Sequence, residues 1–420
     1  MTFLIIAVLV VLTLLGLPLF VALAGGSLLA TFNAGLDPAL LIVELNRLAS
    51  SPYLAAIPLF TLAGVVLAAG GAPERMIQLF NALVGWLPGG MAVVAIASCA
   101  FFTAFSGASG VTILALGGLM FPMLLHAGYS ERHNLGLLTT SGSLGLLFPP
   151  SIAILLYGIV AGVSIDELFL SGIVPGILLM LILGVFCLYV GAKTSVPRHK
   201  FSWINLGRAV REGFWDILLP IGVIIGIFGG FLTITEASAC TAVYVLVLEI
   251  VIHREIHPGK HMLPILSDTT VLVGSILVIL SVAMGLTNLL IDAQVPMIIL
   301  DWMQEHVDSQ LQFLLLLNIF LLAVGAMMDI FSATVVVVPL ILPIALRYGV
   351  DPIHLGIIFL ANLEIGYSTP PVGINLFIAS QRFGRPVLSL FRAALPFLVL
   401  MLIWLGLVTY IPAISLWWRG

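Results

Sequence analysis

Four short polar stretches interrupt the apolar sequence where a membrane helix would otherwise continue. Two of them, 106–110 and 329–334, lie between pairs of short apolar arms, and the other two, 141–145 and 366–371, break longer apolar segments. A broken helix exposes carbonyl oxygens that coordinate Na⁺ and N–H groups that attract a carboxylate. These residue types therefore predict reversible binding of a cation and an organic acid, with no covalent chemistry.

The residues expected to bind the cation fall into two clusters, each joining one short interruption to one helix break. The first cluster comprises Thr103, Ser106, Gly107, Ser109, Ser141, Ser143 and Gly145. The second cluster comprises Gly325, Asp329, Ser332, Thr334, Gly366, Ser368 and Thr369. The residues expected to contact the substrate are Ser109, Pro149, Pro150, Asn362, Pro370 and Pro371. The alternative interpretation is that these small residues only let neighbouring helices approach closely.

Three acidic residues in or beside apolar stretches are further candidates, because an ionisable group at the centre of a membrane helix costs about 2.5 to 3.5 kcal/mol on insertion scales. Asp329 and Glu364 lie next to the second pair of interruptions. Either would assist cation binding or proton movement, or cap a broken helix. Glu236 lies between two apolar runs, and is either a buried structural or coupling acid or part of an exterior turn.

The elements that position these residues are predicted to be membrane-spanning helices. Of the 420 residues, 61% are hydrophobic and 8% are charged, against about 25% charged in a soluble domain. The apolar start at Met1 predicts a retained first helix rather than a cleaved signal peptide. Candidate segments lie near 3–31, 53–70, 91–126, 133–163, 169–192, 217–252, 264–287, 311–346, 353–380 and 391–416. The predicted fold class is an all-α polytopic membrane protein, a single membrane unit over 1–420.

An internal repeat relates two parts of the chain at an offset of 221 residues, the separation of Pro122 and Pro343. At this offset Gly128 meets Gly349, His133 meets His354, Gly145 meets Gly366, Pro149 and Pro150 meet Pro370 and Pro371, and Pro175 meets Pro396. Such a series in one register indicates duplication.

Each copy is predicted to contain a re-entrant helical hairpin followed by a broken helix. The transport elements of the first repeat lie in 91–192, with hairpin 91–126 and broken helix 133–163; those of the second lie in 312–420, with hairpin 312–346, broken helix 353–380 and a C-terminal helix. Scaffold helices are assigned to 1–90, and a basic loop with further scaffold helices to 193–311.

The distribution of charges predicts that the two copies are inverted in the membrane. Five basic residues lie between Lys193 and Arg211, which places that connection on the cytoplasmic side. The loop before helix 169–192 carries Asp166 and Glu167 without Lys or Arg, whereas its equivalent in the second copy carries Arg382, Arg385 and Arg392. The hairpins therefore enter from opposite sides, as in secondary transporters that bind ligands near the midplane.

Several longer motifs resemble one family over almost the whole chain. They are 58–60 with Gly64, 85–90 (Gly-Trp-Leu-Pro-Gly-Gly), 106–109 (Ser-Gly-Ala-Ser), 148–151 (Phe-Pro-Pro-Ser), 235–237 (Thr-Glu-Ala) and 366–373 (Gly-Tyr-Ser-Thr-Pro-Pro-Val-Gly). They resemble the large membrane subunit of tripartite ATP-independent periplasmic (TRAP) transporters, of the DctM or SiaM type. Two departures are Ala108, where the family usually has a hydroxyl, and Ile234 in 233–236, where it usually has proline.

The resemblance implies a fold of the elevator-type ion transporter superfamily, in which a domain holding both hairpins slides against a scaffold. It implies Na⁺ as the coupling ion, bound at two sites. It also implies two protein partners, a periplasmic substrate-binding protein and a separate small membrane subunit. The expected activity is uptake of a small organic anion, such as a carboxylate or sugar acid, by a protein embedded in the lipid of the bacterial inner membrane. The sequence contains no Gly-Lys-Ser/Thr phosphate loop, so no direct use of ATP is expected. Neither is a nucleic-acid partner.

Two alternatives remain open from the sequence. One is a self-sufficient organic-anion symporter or antiporter of the same superfamily, which needs no binding protein. The other is an intramembrane hydrolase using Ser109 or Ser143 with a histidine, but His126 and His133 lie toward segment ends and no paired base is evident. A protein that is not an enzyme is therefore favoured.

Overall fold

The computed structural model describes residues 19–33, 43, 46, 53–193, 201–292, 294–307 and 309–419. The described residues form helices and connections, with no strand among them. In the first half these are α1 (Leu19–Asn33), α2 (Ala56–Ala69), α3 (Ala72–Val84), α4 (Gly90–Ser106), α5 (Ser109–His126), α6 (Glu131–Ser141), α7 (Ile152–Ala161) and α8 (Ile165–Lys193). In the second half these are α9 (Trp203–Glu212), α10 (Phe214–Phe228), α11 (Ile234–Val247), α12 (Pro258–Asp292), α13 (Val295–His306), α14 (Gln310–Met327), α15 (Ile330–Arg347), α16 (Pro352–Gly366), α17 (Ile374–Phe383) and α18 (Val387–Tyr410). A π-helical turn, Leu248–Ile252, extends α11, and a 3₁₀ turn, Leu144–Leu147, lies between α6 and α7.

Many of these helices match a bilayer in length and composition. Seven are long and apolar enough to cross a membrane, or up to nine if each of two bent pairs counts as one span, within the part of the chain that the structure describes. The bent pairs are α2 with α3 and α6 with α7. The predicted all-α polytopic fold is therefore confirmed.

The helix boundaries repeat in the same register as the sequence. Helix α5, Ser109–His126, has its counterpart 221 residues later in α15, Ile330–Arg347, and α4 likewise corresponds to α14 within one residue. The contacts repeat as well: α5 packs against α17 and its counterpart α15 packs against α7, while α6 packs on α18 and α16 on α8. The second hairpin arm of each copy thus packs against the helix that follows the break in the other copy.

The core of this arrangement is α16. Asp351 caps its start by accepting hydrogen bonds from the N–H groups of Ile353 and His354, and Pro352 occupies the first turn, where no N–H partner is needed. All residues from Ile353 to Gly366 are buried. A helix that is hydrophobic and buried on every side is an interior element, so α16 is the helix around which the others pack.

Three helices were not among the predicted segments. Helix α9 lies inside the connection that was predicted to be a basic loop, and α3 and α13 each precede a hairpin. The predicted segment 217–252 forms two helices, α10 and α11. The first predicted segment, 3–31, is described from Leu19 onward, and the predicted retention of a helix from Met1 lies outside the described residues.

Candidate functional site

The tip of the first hairpin is a two-residue break between α4 and α5. Gly107 adopts φ +64°, and a Cβ at this position would also collide with the side chain of Ile152 at the start of α7, so the turn requires glycine. Ala108 is extended and Ser109 begins α5. The break lies within the predicted interruption 106–110, which is too long, because Ser106 ends α4 and Ser109 and Gly110 already belong to α5.

Thr103 connects this hairpin to the first helix break. Its Oγ1 lies 2.7 Å from the carbonyl oxygen of Gly142 and 2.8 Å from Oγ1 of Thr112. Gly145, in the 3₁₀ turn of the break, packs so closely on α4 that a Cβ would overlap the backbone of Ala100 and Ala104. The hairpin and the break of the first copy therefore form one tightly packed unit.

The polar side chains of the first break are buried. Ser143 Oγ donates to the carbonyl oxygen of Thr140 at 3.3 Å, whereas Ser141 Oγ and Ser151 Oγ have no hydrogen-bond partner among the described residues. A buried hydroxyl without a partner is costly. Ser141, from the first predicted cluster, therefore has a free oxygen that suits a hard cation, for which oxygen donors are the preferred ligands.

The second hairpin tip is a break at Met328 and Asp329 between α14 and α15. Asp329 caps α15 by accepting hydrogen bonds from the N–H groups of Phe331 and Ser332, both at 3.0 Å, and from the Ser332 hydroxyl. The predicted interruption 329–334 is too long, because this cap lets the helix start at Ile330. Asp329 thus acts as a cap, one of its two predicted roles.

Backbone contacts attach the second tip to the second break. The hydroxyl of Tyr367 accepts from the N–H of Ile330, and the carbonyl oxygen of Ala326 accepts from the N–H groups of Val372 and Gly373 at 3.0 and 3.1 Å. Gly325 and Gly366 are in such close contact that a Cβ on either would collide with the other helix. The α16 helix ends at Gly366, as predicted, and α17 resumes at Ile374.

The hydroxyls of the second cluster differ in their partners. Thr334 Oγ1 donates to the carbonyl oxygen of Ile330 at 2.6 Å, and Thr369 Oγ1 donates to that of Ile365 at 2.9 Å. Ser368 Oγ is buried and has no hydrogen-bond partner in the part of the chain that the structure describes. Ser368 in the second cluster therefore parallels Ser141 in the first.

Asn375, which sequence reasoning missed, joins the two copies. Ser109 Oγ donates to Asn375 Oδ1 at 2.7 Å, and Asn375 Nδ2 donates to the carbonyl oxygen of Thr139 at 3.4 Å. Asn375 lies in the first turn of α17 and is wholly buried. Its only sequence signal is an isolated amide two residues after Gly373, outside the predicted break 366–371.

The remaining predicted substrate residues lie in different environments. Pro149 and Pro150 are buried, whereas Pro370 and Pro371 are exposed. Asn362 Nδ2 donates to Asn318 Oδ1 at 2.7 Å, and Asn318 Nδ2 donates in turn to Thr409 Oγ1. The amide of Asn362 is thus engaged with α14 and α18.

The other two acids have contrasting positions. Glu236 is exposed and forms a capping box with Thr233 at the start of α11, which supports the exterior-turn alternative. Glu364, in contrast, is wholly buried in α16, and neither carboxylate oxygen has a hydrogen-bond partner within the described ranges. Burial without a partner disfavours the charged form, so Glu364 is uncharged unless a cation joins it.

Helix breaks held together inside a multi-span helical protein define a class, the membrane transport proteins that bind their ligands at discontinuous helices. The comparisons with known proteins identify the member of this class. The sequence matches the family described as "Tripartite ATP-independent periplasmic transporter, DctM component" over residues 6–414. The chain belongs to this family, and is therefore a TRAP transporter large permease subunit, a multi-pass inner-membrane protein that imports small organic substrates.

Individual relatives agree with this assignment. The chain is 37% identical to the C4-dicarboxylate TRAP transporter large permease protein DctM of Pseudomonas aeruginosa, over 90% of this chain and 88% of the relative. It is 35% identical to the isethionate TRAP transporter permease protein DctMQ of Oleidesulfovibrio alaskensis, over 96% of this chain and 64% of that longer protein. Its fold is similar to the YdaH transporter of Alcanivorax borkumensis, with a TM-score of 0.62, 16% identity, and coverage of 90% and 88% of the two chains.

Proposed function

We propose that this permease couples the import of a small organic anion to the entry of Na⁺, bound at two sites. The support for Na⁺ is chemical: the predicted clusters supply serine and threonine hydroxyls and carbonyl oxygens of broken helices. Ser141 Oγ and Ser368 Oγ are buried without a partner, one in each cluster. Hard, neutral oxygen donors of this kind suit a monovalent cation, and unwound helix segments coordinate Na⁺ in other secondary transporters.

The observation that carries the anion part of the proposal is the hydrogen bond between Ser109 and Asn375. It joins the first turns of α5 and α17, which come from different copies. A helix N-terminus carries a partial positive charge and free N–H groups, so two such ends in contact favour a carboxylate or a similar anion. C4-dicarboxylates and isethionate, for which the two relatives are named, are anions of this type.

The transport movement proposed is of the elevator type. The hairpins and breaks are fixed to one another by the contacts of Thr103, Tyr367 and Asn375, so they would move as one body. Helix α2 and the two helices that pack on it, α11 and α12, would form the stationary scaffold. The two copies would face opposite sides of the membrane, and a periplasmic binding protein and a separate small membrane subunit would complete the transporter.

Reconstitution into proteoliposomes tests this function directly. The permease is reconstituted with its small subunit and supplied with its binding protein loaded from a panel of organic acids, with and without an inward Na⁺ gradient. Accumulation that needs both the Na⁺ gradient and the binding protein is expected. Accumulation without a binding protein would favour the self-sufficient symporter, and accumulation driven equally well without Na⁺ would refute the coupling.

A further inference from the structure

A buried cluster of charged side chains lies outside the candidate site, around Arg75 of α3. Its guanidinium forms two hydrogen bonds with Asp216, Nε to Oδ2 at 2.7 Å and Nη2 to Oδ1 at 3.0 Å. Nη2 also lies 2.5 Å from Glu249 Oε1, and Nη1 lies 2.9 Å from Glu255 Oε2. One cation thus connects α3 with α10, with the π-helical turn after α11, and with the connection to α12.

The cluster surrounds the corner at which α2 turns into α3. These helices form an angle of 74°. The corner is Gly70-Gly71: the N–H of Gly71 donates to Glu255, a Cβ on Gly70 would collide with the carboxylate of Glu249, and one on Gly71 with that of Glu255. Both carboxylates therefore lie directly against the backbone of the corner, and a side chain at either glycine would displace them.

The position of this corner gives the cluster a mechanical role. Helix α2 packs on α11, on α12 and on α4, the first arm of the first hairpin, and α3 also packs on α4 and leads into it through Gly89. Because α2 and α3 both contact α4, a movement of the hairpin relative to α11 and α12 acts on the corner between α2 and α3. The cluster fixes the beginning of α3.

The charges of the cluster do not balance if every acid is ionised. Three carboxylates face one guanidinium, and Glu249 is wholly buried with Oε2 unpartnered, whereas the Glu255 side chain is 40% exposed. Burial raises the pKa of Glu255, but the charge and hydrogen bond of Arg75 and the N–H of Gly71 lower it by more. The pKa is therefore below its usual value, and Glu255 is ionised. Glu249 is therefore the acid expected to carry a proton.

Among the residues that the structure describes, no other charge facing the cluster compensates for the excess of negative charge. Burial and the neighbouring Arg75 lower the pKa of His253, which is therefore neutral at pH 7, and Tyr244, on α11, donates its hydroxyl to the carbonyl oxygen of Trp215. The charged and titratable side chains on the other elements around the cluster are exposed: Glu74, Arg208, Arg211, Glu212, Arg254, His257, Lys260, His261 and Asp268.

We propose that Arg75, with a protonated Glu249, is a positioning residue for transport: it anchors the Gly70-Gly71 corner and so sets the angle at which α3 carries the first hairpin. This proposal rests on the proposed function. It assigns the cluster to the movement and not to ligand binding, because none of its members touches the tips or breaks.

The test combines transport kinetics with hydrogen exchange. In proteoliposomes, Arg75→Gln is expected to lower the maximal uptake rate by about tenfold, with the half-saturation constants for Na⁺ and substrate changed by less than about twofold. Arg75→Lys should restore part of the rate. Glu255→Gln removes only the exposed carboxylate, so it provides a milder variant that is expected to fold and to lose rate as well.

Two further measurements keep the outcome decisive. Amide exchange over residues 66–76 should accelerate in Arg75→Gln and Glu255→Gln, but not in Arg385→Gln, the matched control that breaks the exposed ion pair with Glu131. Glu249→Gln, which has the shape of the protonated acid, should keep the rate. The wild-type rate should fall with rising pH more steeply than that of Glu249→Gln, because ionised Glu249 adds an uncompensated charge beside Glu255.

The outcomes separate this proposal from the function on which it rests. Absence of Na⁺-dependent uptake in the wild type would refute the proposed function, while the exchange data would still report on the corner. Wild-type rates and exchange in both Arg75→Gln and Glu255→Gln would overturn the positioning role. So would a loss that appears only in the half-saturation constants, or identical pH profiles for the wild type and Glu249→Gln.

Discussion

Ser109 Oγ lies 2.7 Å from Asn375 Oδ1, although the two residues are 266 positions apart in the sequence. Ser109 begins the second arm of the first hairpin, and Asn375 lies in the first turn after the second helix break. This single hydrogen bond brings together elements of both repeats. The candidate site therefore belongs to neither copy alone, and changes on either side of the bond should have the same effect.

Replacement of Asn375 by alanine tests that relationship. Asn375→Ala removes the acceptor for Ser109 and the donor to Thr139, so we expect the maximal uptake rate to fall by about tenfold, or about 1.4 kcal/mol. The double variant Ser109→Ala/Asn375→Ala should be little worse than the more severe single variant, because both remove the same bond. Uptake in proteoliposomes measures both effects. Asn205→Ala, on the exposed face of α9, serves as control; additive losses would contradict the linkage.

Removal of the unpartnered hydroxyls should affect Na⁺ alone. Ser141→Ala and Ser368→Ala break no hydrogen bond among the described residues, so the thermal unfolding temperature should not change. Loss of one oxygen ligand should raise the half-saturation constant for Na⁺ by about tenfold. The control is Ser275→Ala, whose hydroxyl bonds its own helix at an exposed position. An unchanged Na⁺ dependence in both variants would show that these serines serve only helix packing.

The close packing at the first break predicts a strong effect of one methyl group. In Gly145→Ala the new Cβ would collide with the backbone of α4, which cannot move aside as a side chain can. Overpacking of this kind costs about 1 to 3 kcal/mol, and we expect lower thermal stability together with loss of uptake. Gly184→Ala has nothing within 4 Å of its Cβ and should behave as wild type. Equal behaviour of the two variants would refute the packing described at the break.

Substitutions of Asp329 show whether its carboxylate acts as a helix cap or as a ligand of the ion. Asparagine is also an effective N-cap, so Asp329→Asn should keep stability and Na⁺ affinity, whereas Asp329→Ala should cost about 1 kcal/mol. Asp351→Ala removes the equivalent cap of α16 and should lose a similar amount without changing Na⁺ affinity. These quantities come from thermal unfolding and from Na⁺ titration of uptake. A weaker Na⁺ response in Asp329→Asn would instead assign the carboxylate to the ion.

Much of the architecture was predictable because it follows from composition and local chemistry. The apolar runs predicted the membrane-spanning segments. The offset of 221 residues between Pro122 and Pro343 predicted the register of the repeat, and the helix boundaries follow it. Gly107 and Gly366 were recognisable as break positions because glycine interrupts an apolar helix without adding bulk. Helices α3, α9 and α13 were missed, because they are shorter and more polar than the apolar runs that indicate a membrane-spanning helix.

The contacts that assemble the site were not predictable from local patterns. Asn375 meets Ser109, and Arg75 meets Asp216 across 141 positions, so neither pair lies in a common motif. The start of α15 was misplaced because the capping action of Asp329 depends on where its side chain points. The hydrogen bonding of the serines was not predictable either. Ser141 lacks a hydrogen-bond partner among the described residues and Ser143 has one, and this difference depends on how the backbone of the break packs.

Direct counting of bound Na⁺ tests the central claim, that the two hairpin tips and two helix breaks form the sites for the coupling ion. Equilibrium binding of radioactive sodium to the purified permease complex should give two ions per chain in the wild type. At a Na⁺ concentration that just saturates the wild type, Ser141→Ala or Ser368→Ala should bind about half an ion less, because a tenfold loss of affinity leaves the altered site about half filled. The same number of ions in the wild type and in both variants would contradict the account.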